Sequence, residues 1–174
     1  PRPAAQAQPA PPAPAEQQPQ APAPDVRLAN PAGEFEPVIH ARGAKVTTCM
    51  DRILAQSHEI IDRPHTAIST WNQAAPNEHP FQSVIGLTYP SKVAPNGIAV
   101  IFAAPLAGDK CEGGSVQVIP TAQPCSTVQA RLITVGRTIG MLQAMPVVET
   151  RDGSREILVP GAAGGCVIVT ARHR

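Results

Sequence analysis

The chain has 174 residues, of which 16% are charged and 3% are aromatic, and its formal net charge is +1. So small a charge excludes a nucleic-acid-binding arm and a polybasic membrane patch. No apolar run reaches the ~18 to 20 residues that a membrane-spanning helix needs. Nine of the 21 prolines fall within residues 1–24, so the chain divides into a proline-rich tail and a domain.

Residues 1–24 contain Pro, Ala and Gln with one Arg and one Glu. Because Leu, Val, Ile and aromatic side chains are absent, the segment cannot bury enough apolar surface to offset the entropy of ordering. We expect a disordered, polyproline-like spacer that displays the domain at a distance. A ligand for an aromatic groove is the alternative, since PxxP patterns occur in the segment.

The strongest helical pattern covers residues 44–62, after an irregular segment at 25–43. Pro64 follows it, and the residue before a proline disfavours the helical conformation. The sequence therefore predicts one long amphipathic helix. Its apolar and small residues recur at every third or fourth position: Val46, Cys49, Met50, Ile53, Leu54, Ser57, Ile60 and Ile61.

Strand patterns and turn signals follow this helix. Asp152-Gly153 predicts a tight hairpin turn, and Ser126-x-x-Gln129 has the pattern of a capping box at the start of a short helix. The stretch around Ile68 carries no clear pattern. We expect strands at 81–89, 98–104, 116–118, within 138–148, at 157–159 and at 166–169.

The elements define the expected fold class. Residues 25–174 are predicted to form a single α+β domain of order α-β-β-β-α-β-β-β. The long helix packs on a mainly antiparallel sheet, because short connections favour antiparallel pairing. The repeated helix and three strands suggest an internal duplication, although no matching residues accompany it.

The four cysteines are widely spaced, with neither a CxxC motif nor Cys–His spacing typical of zinc. Their even number predicts two disulfides in an oxidising compartment. We favour a short Cys111–Cys125 loop with Cys49–Cys166 joining the first helix to the last strand, while the other pairings stay open. Four reduced cysteines in a cytosolic protein are the alternative.

The first residue is Pro1 rather than methionine, which suggests that a leader or signal peptide has been removed. Together with the predicted disulfides and spacer, this favours a periplasmic or extracellular location. The absence of an Asn-x-Ser/Thr sequon agrees with a bacterial source.

One polar cluster resembles a metal site. On a continuous helix His58 and Asp62 lie one turn apart, and His65 follows closely, so the three form a candidate ligand set. The pattern is not HExxH, because Asp62 stands where the second histidine belongs. The alternative is a solvated helix end.

No catalytic or cofactor-binding residue is assigned. The sequence has no GxSxG, GxGxxG or GxxxxGK[ST] motif, and a base for Cys166 would have to come from a distant segment or from the C-terminal tail, because no histidine lies between His79 and His173. No cofactor is expected, and nucleic acid is not an expected partner.

The function expected from these features is that of a non-enzymatic binding or accessory protein of the bacterial cell envelope. Its partner is an unidentified protein or envelope component. One alternative is a small envelope hydrolase or metal-dependent enzyme that uses His58, Asp62 and His65. The other is a structural subunit that completes its core against a partner. A flat apolar patch favours that subunit, whereas a basic groove with a deep pocket favours ligand binding.

Overall fold

A computed structural model describes residues 34–89, 95–108 and 110–173 of the chain. Within them lie three α-helices: α1 (Glu36–Gly43), α2 (Met50–Ile60) and α3 (Cys125–Leu132). The eight strands are β1 (His65–Thr70), β2 (Phe81–Thr88), β3 (Asn96–Leu106), β4 (Lys110–Thr121), β5 (Gly136–Leu142), β6 (Met145–Thr150), β7 (Arg155–Pro160) and β8 (Cys166–His173). The predicted spacer, residues 1–24, lies outside the described residues.

The eight strands form a single sheet of order β1-β2-β3-β4-β8-β7-β6-β5, in which all neighbours are antiparallel. The sheet consists of two four-stranded meanders that meet at β4 and β8. This central pairing runs from Gly114 opposite His173 to Thr121 opposite Cys166. If each of the strands β1–β4 is exchanged with its counterpart in β5–β8, the same order results when the sheet is read from its other edge. The two halves therefore repeat one architecture.

The helices of both halves pack on the same face of the sheet. On β8, Arg172 forms an ion pair with Glu59 of α2, and Cys166 is bonded to Cys125 of α3. Arg172 and Cys166 are six residues apart on one strand, and side chains an even number apart share a face. We call this side the helix face and the opposite side the open face.

The helix face carries two hydrophobic clusters, one in each half. The second centres on Val128 of α3, Leu158 of β7 and Cys166. The first lies between α1, α2 and strands β1–β3, and its largest fully buried side chains are Ile53, Phe81, Ile85, Leu87 and Ile101.

The predicted long helix over 44–62 is wrong. Within that range residues 44–49 are irregular and only α2 is helical, whereas α1 lies in the segment 25–43 that was expected to be irregular. Lys45 adopts a left-handed conformation with φ of 59°, which a continuous helix does not tolerate. Asn77 then accepts hydrogen bonds from the backbone N–H groups of Thr47 (2.6 Å) and Thr48 (3.1 Å), and its side chain holds the irregular segment. The second helix ends at Ile60.

The element order also differs from the prediction. The unassigned stretch around Ile68 is strand β1, and the single strand expected within 138–148 is the hairpin β5–β6. That hairpin turns at Gln143, which has φ of 55° without glycine or asparagine to signal it. The strand expected at 116–118 is longer than predicted, because β4 already begins at Lys110 and includes Cys111. Ser126 lies inside α3, whose N-cap, Pro124, makes no side-chain capping bond.

The predicted hairpin turn at Asp152-Gly153 is confirmed, since β6 pairs with β7 around it. Gly153 has φ of 83°, a conformation that favours glycine. The carboxylate of Asp152 accepts hydrogen bonds from the hydroxyls of Thr150 and Ser154 and from the Ser154 N–H. These bonds lower the pKa of Asp152 to about 2.

Leu158→Ala should lower the free energy of unfolding by roughly 2–5 kcal/mol, because the side chain is fully buried against α3 and leaves a cavity when shortened. Leu54→Ala is the control, since Leu54 on α2 is 38% exposed and should cost less than about 1 kcal/mol. Urea unfolding measures both. Equal losses would contradict the assignment of Leu158 to the second core cluster.

Candidate functional site

The predicted metal ligands are not brought together, because α2 ends before it reaches Asp62. Ile61, directly after the helix, has extended backbone angles of φ −99° and ψ 99°. His58 and Asp62 therefore do not share one helix face. Among the described residues no group of three or more His, Cys, Asp and Glu side chains could hold a metal ion.

Each of these three side chains has another environment. The ring of His58 packs edge-on against Phe35, with 4.7 Å between centroids. Both carboxylate oxygens of Asp62 accept hydrogen bonds from the guanidinium of Arg63 at 2.5 Å, which lowers the pKa of Asp62.

Both ring nitrogens of His65 lie within hydrogen-bond distance of backbone groups. Nε2 accepts from the backbone N–H of Glu36 at 3.3 Å, and Nδ1 lies 3.2 Å from the carbonyl oxygen of Arg63. The two contacts are satisfied together by the neutral ring that carries its proton on Nδ1. His65 thus ties α1 to the beginning of β1, which is a structural role.

All four cysteines form disulfides, as the sequence predicts, but the favoured pairing is wrong. The bonds join Cys49 to Cys111 and Cys125 to Cys166. Cys111 lies in β4 beneath α2 rather than in a loop near Cys125, so the expected short clip cannot form. Each bond links the beginning of a helix to the beginning of the last strand of its own half.

A polar cluster lies on the helix face near the junction of the two halves. The Arg172 Nε lies 3.0 Å from Glu59 Oε1, in an ion pair whose geometry is not that of a directional hydrogen bond. On the neighbouring strand Glu156 accepts a hydrogen bond of 2.5 Å from the Thr170 hydroxyl. Burial raises the pKa of Glu156, partly offset by Thr170 and by the charge of Arg172.

A second polar contact lies beside β4. Gln117 donates to the Tyr89 hydroxyl at 3.1 Å, and the guanidinium carbon of Arg63 lies 4.4 Å from the centroid of the Tyr89 ring. Burial raises the pKa of Tyr89. Cation–π packing and a satisfied hydroxyl give Tyr89 a structural role here.

Two shallow cavities lie at strand ends, and neither gathers a set of titratable groups. One, of about 320 Å³, lies at the ends of β1, β2 and β3, and its only titratable side chain is His65, whose nitrogens are occupied. The other, of about 240 Å³, is lined by the chain around Pro120 and by the 3₁₀ turn Ala162–Gly164. Their linings do not point to a reaction.

The open face carries apolar side chains in register across the strands. Since Cβ atoms alternate along a strand, the residues opposite the helix face align into rows. The first apolar row contains Ile68, Val84, Val100, Val116 and Ala171 on β1, β2, β3, β4 and β8. The second apolar row contains Ile98, Val118, Val169, Ile157 and Val147 on β3, β4, β8, β7 and β6.

The rows are most accessible to solvent on strands β1 to β4, and their residues on β6 to β8 are half-buried. Ile68 is 61% exposed, Ile98 53% and Val84 39%, and Phe102 beside the first row is 38% exposed. Scattered exposed apolar residues are ordinary, but a contiguous patch of several hundred Å² marks an interaction site. The sequence prediction missed this patch, although the nearly continuous apolar run at 98–104 was its signal.

Charged residues on the open face are confined to its margins. Between β1 and β4 the described open-face positions hold only Lys110 and Glu112, both at the start of β4. In the second half a charged row crosses three strands: Arg155 lies opposite Glu149, and Glu149 binds Arg137 at 2.9 Å. The described positions at the centre of the first half are therefore apolar and uncharged.

Comparison of the chain with protein-family models, with curated proteins and with solved structures finds no match. In the described part of the chain, no helix has the length and apolar character needed to cross a membrane.

The disulfide pairing can be tested on protein alkylated at the moment of cell lysis. Peptide mapping without reduction should find Cys49 joined to Cys111 and Cys125 joined to Cys166, and no free thiol after denaturation. Replacing both Cys125 and Cys166 with Ala should cost roughly 2–5 kcal/mol of stability. Four titratable thiols would contradict the disulfides, and a Cys111–Cys125 peptide would contradict the pairing.

Glu156→Gln should stabilise the domain at neutral pH. A carboxyl whose pKa is raised on folding holds its proton more tightly in the native state, so wild-type stability falls as pH rises from the ordinary value of 4.5 through the folded pKa. Glutamine keeps an acceptor for Thr170 and removes this loss. Urea unfolding between about pH 4 and pH 7 measures it, with exposed Glu78→Gln as control. A variant less stable than wild type at pH 7 would contradict the buried-charge assignment.

Proposed function

We propose that this chain is a non-enzymatic protein of the bacterial cell envelope, working in the periplasm or outside the cell, whose open face binds a protein partner. The observation that carries the proposal is the pair of apolar rows on that face, which no other element of the described part of the chain covers. Because these rows extend across several strands and their described positions gather no set of polar groups, they favour a subunit that completes its core against another protein over one that encloses a small ligand.

The central strands support this proposal through their composition. An antiparallel sheet with one solvated face normally alternates apolar and polar residues. Strand β3 instead places Ile98, Val100 and Phe102 on the open face and Ala99, Ile101 and Ala103 on the helix face. A strand that is apolar on both sides is typical of a sheet covered on both faces, and among the described elements only the helix face of β3 has a cover.

Two further features support the proposed location. Both disulfides belong to a compartment in which thiols are oxidised. The proline-rich composition of residues 1–24 suits a spacer that holds the domain away from an anchor. The alternative of a metal-dependent envelope enzyme loses its basis, because His58, Asp62 and His65 are engaged separately.

A photoreactive residue placed at position 84 tests the proposal in the cells that produce the protein. It should give one discrete protein adduct, because Val84 lies in the middle of the first half of the open face. The same residue at Leu54 is the matched control, since Leu54 is equally exposed but lies on α2 on the other side of the sheet. No adduct from position 84, or the same adducts from both positions, would overturn the proposal.

A further inference from the structure

We infer that the partner of the open face is a second copy of this chain, and that two sheets pack face to face in a four-layer dimer with the helices outside. This inference rests on the proposed function and names the partner of the same surface. It is argued from the shape, charge and extent of the open face.

The shape of the open face suits a second copy. Two sheets pack face to face about 10 Å apart, at an angle near −30° that arises from the twist of each sheet. A second copy has an identical twist, so the required match of curvature is built in. Such a dimer has a twofold axis and uses the same patch on both protomers, which is the commonest symmetry of soluble oligomers.

The charge distribution also favours a second copy. Selecting a different partner relies on complementary charges, and like charges brought together are costly. The centre of the first half carries no charge that could select a different protein. Interfaces between identical subunits are also more apolar than those between different proteins. A twofold axis through β2 and β3 would join the two uncharged regions and leave Arg137, Glu149 and Arg155 at the rim.

The extent of the patch is sufficient for a stable dimer. The two apolar rows and Phe102 span strands β1–β4 and continue onto β8, β7 and β6. Ile68, Val84, Ile98, Phe102 and Val116 in the first half are each 36–61% exposed, which gives a surface on the order of several hundred Å² to set against the ~800 Å² per partner of an ordinary specific interface. Covering both faces of β3 in this way would convert two half-covered sheets into one shared core.

Sedimentation velocity of the purified full chain, from micromolar to sub-millimolar concentration, tests the inference. Wild-type protein should sediment as a dimer. Val84→Lys and Ile98→Lys should each weaken the dimer at least ~100-fold, because twofold symmetry buries every added ammonium twice without a partner. Leu54→Lys introduces the same charge at an equally exposed site on the helix side, and it should leave the dimer intact.

Circular dichroism and disulfide mapping of each variant separate loss of association from loss of folding. Ile68→Lys provides a second test of association, because Ile68 on the outer strand β1 is 61% exposed and its replacement should disturb the fold least. Dimers that persist in folded Val84→Lys and Ile98→Lys proteins, or a Leu54→Lys variant that dissociates, would overturn the inference.

The outcomes also distinguish this inference from the proposed function. A monomeric wild-type chain that still forms an adduct with another protein from position 84 would overturn the second copy and leave the binding surface standing. An adduct with twice the mass of the chain, together with a dimer in sedimentation, supports both. A monomer without any adduct from position 84 overturns both.

Discussion

The antiparallel pairing of β4 with β8 is the contact on which the rest of the structure depends. A four-stranded meander ends in an edge of unpaired backbone groups, and this pairing satisfies one such edge from each half. Its register also decides the side on which the helices lie. A shift by one residue would move every side chain of β8 to the other face, which would expose Thr170 and Arg172 and separate Cys166 from Cys125.

The buried polar side chains near this junction depend on the same register. Ser115 on β4 lies opposite Arg172, and Thr170 lies opposite both Gln117 on β4 and Glu156 on β7. Hydrogen-bonded polar groups add little net stability, but leaving one unpaired in the interior is costly. Alternative registers would break the Glu156–Thr170 bond or bury Glu156 without a partner, so these residues favour one alignment of the two halves.

The sequence predicted the parts of the fold that depend on local patterns. The β2–β3 and β6–β7 hairpins follow from alternation and from Asp152-Gly153, and α3 lies where a short helix was expected. The start of α2 was not predictable, because residues 44–49 keep the apolar spacing of a helix while Asn77, about 30 residues away, holds them irregular. The helix α1 was missed, since it lies in a segment expected to be irregular. The β5–β6 turn lacks glycine and asparagine, and Gln143 takes the left-handed conformation instead.

The candidate site was harder to predict than the fold, because the cysteine pairing and the metal-site hypothesis both depend on long-range packing. Cysteine pairing followed from the placement of Cys111 within β4 under α2, which no spacing argument reveals. The metal hypothesis required a helix that reached Asp62, and α2 ends at Ile60. The apolar run at 98–104 was correctly read as a central strand, but its sequence alone does not say whether both faces are covered within one chain.

The two halves share an architecture but differ on the open face, and that difference affects which contacts this face favours. In the first half two helices and the larger core cluster lie on one side, and an uncharged apolar surface lies on the other. The second half has one helix and a smaller cluster, and its open face carries the Arg137–Glu149 ion pair beside Arg155. Charges on the margin of a sheet oppose indiscriminate association. A surface that is apolar at the centre and charged on one side therefore limits contact to partners that cover the first half and leave the charged row in water.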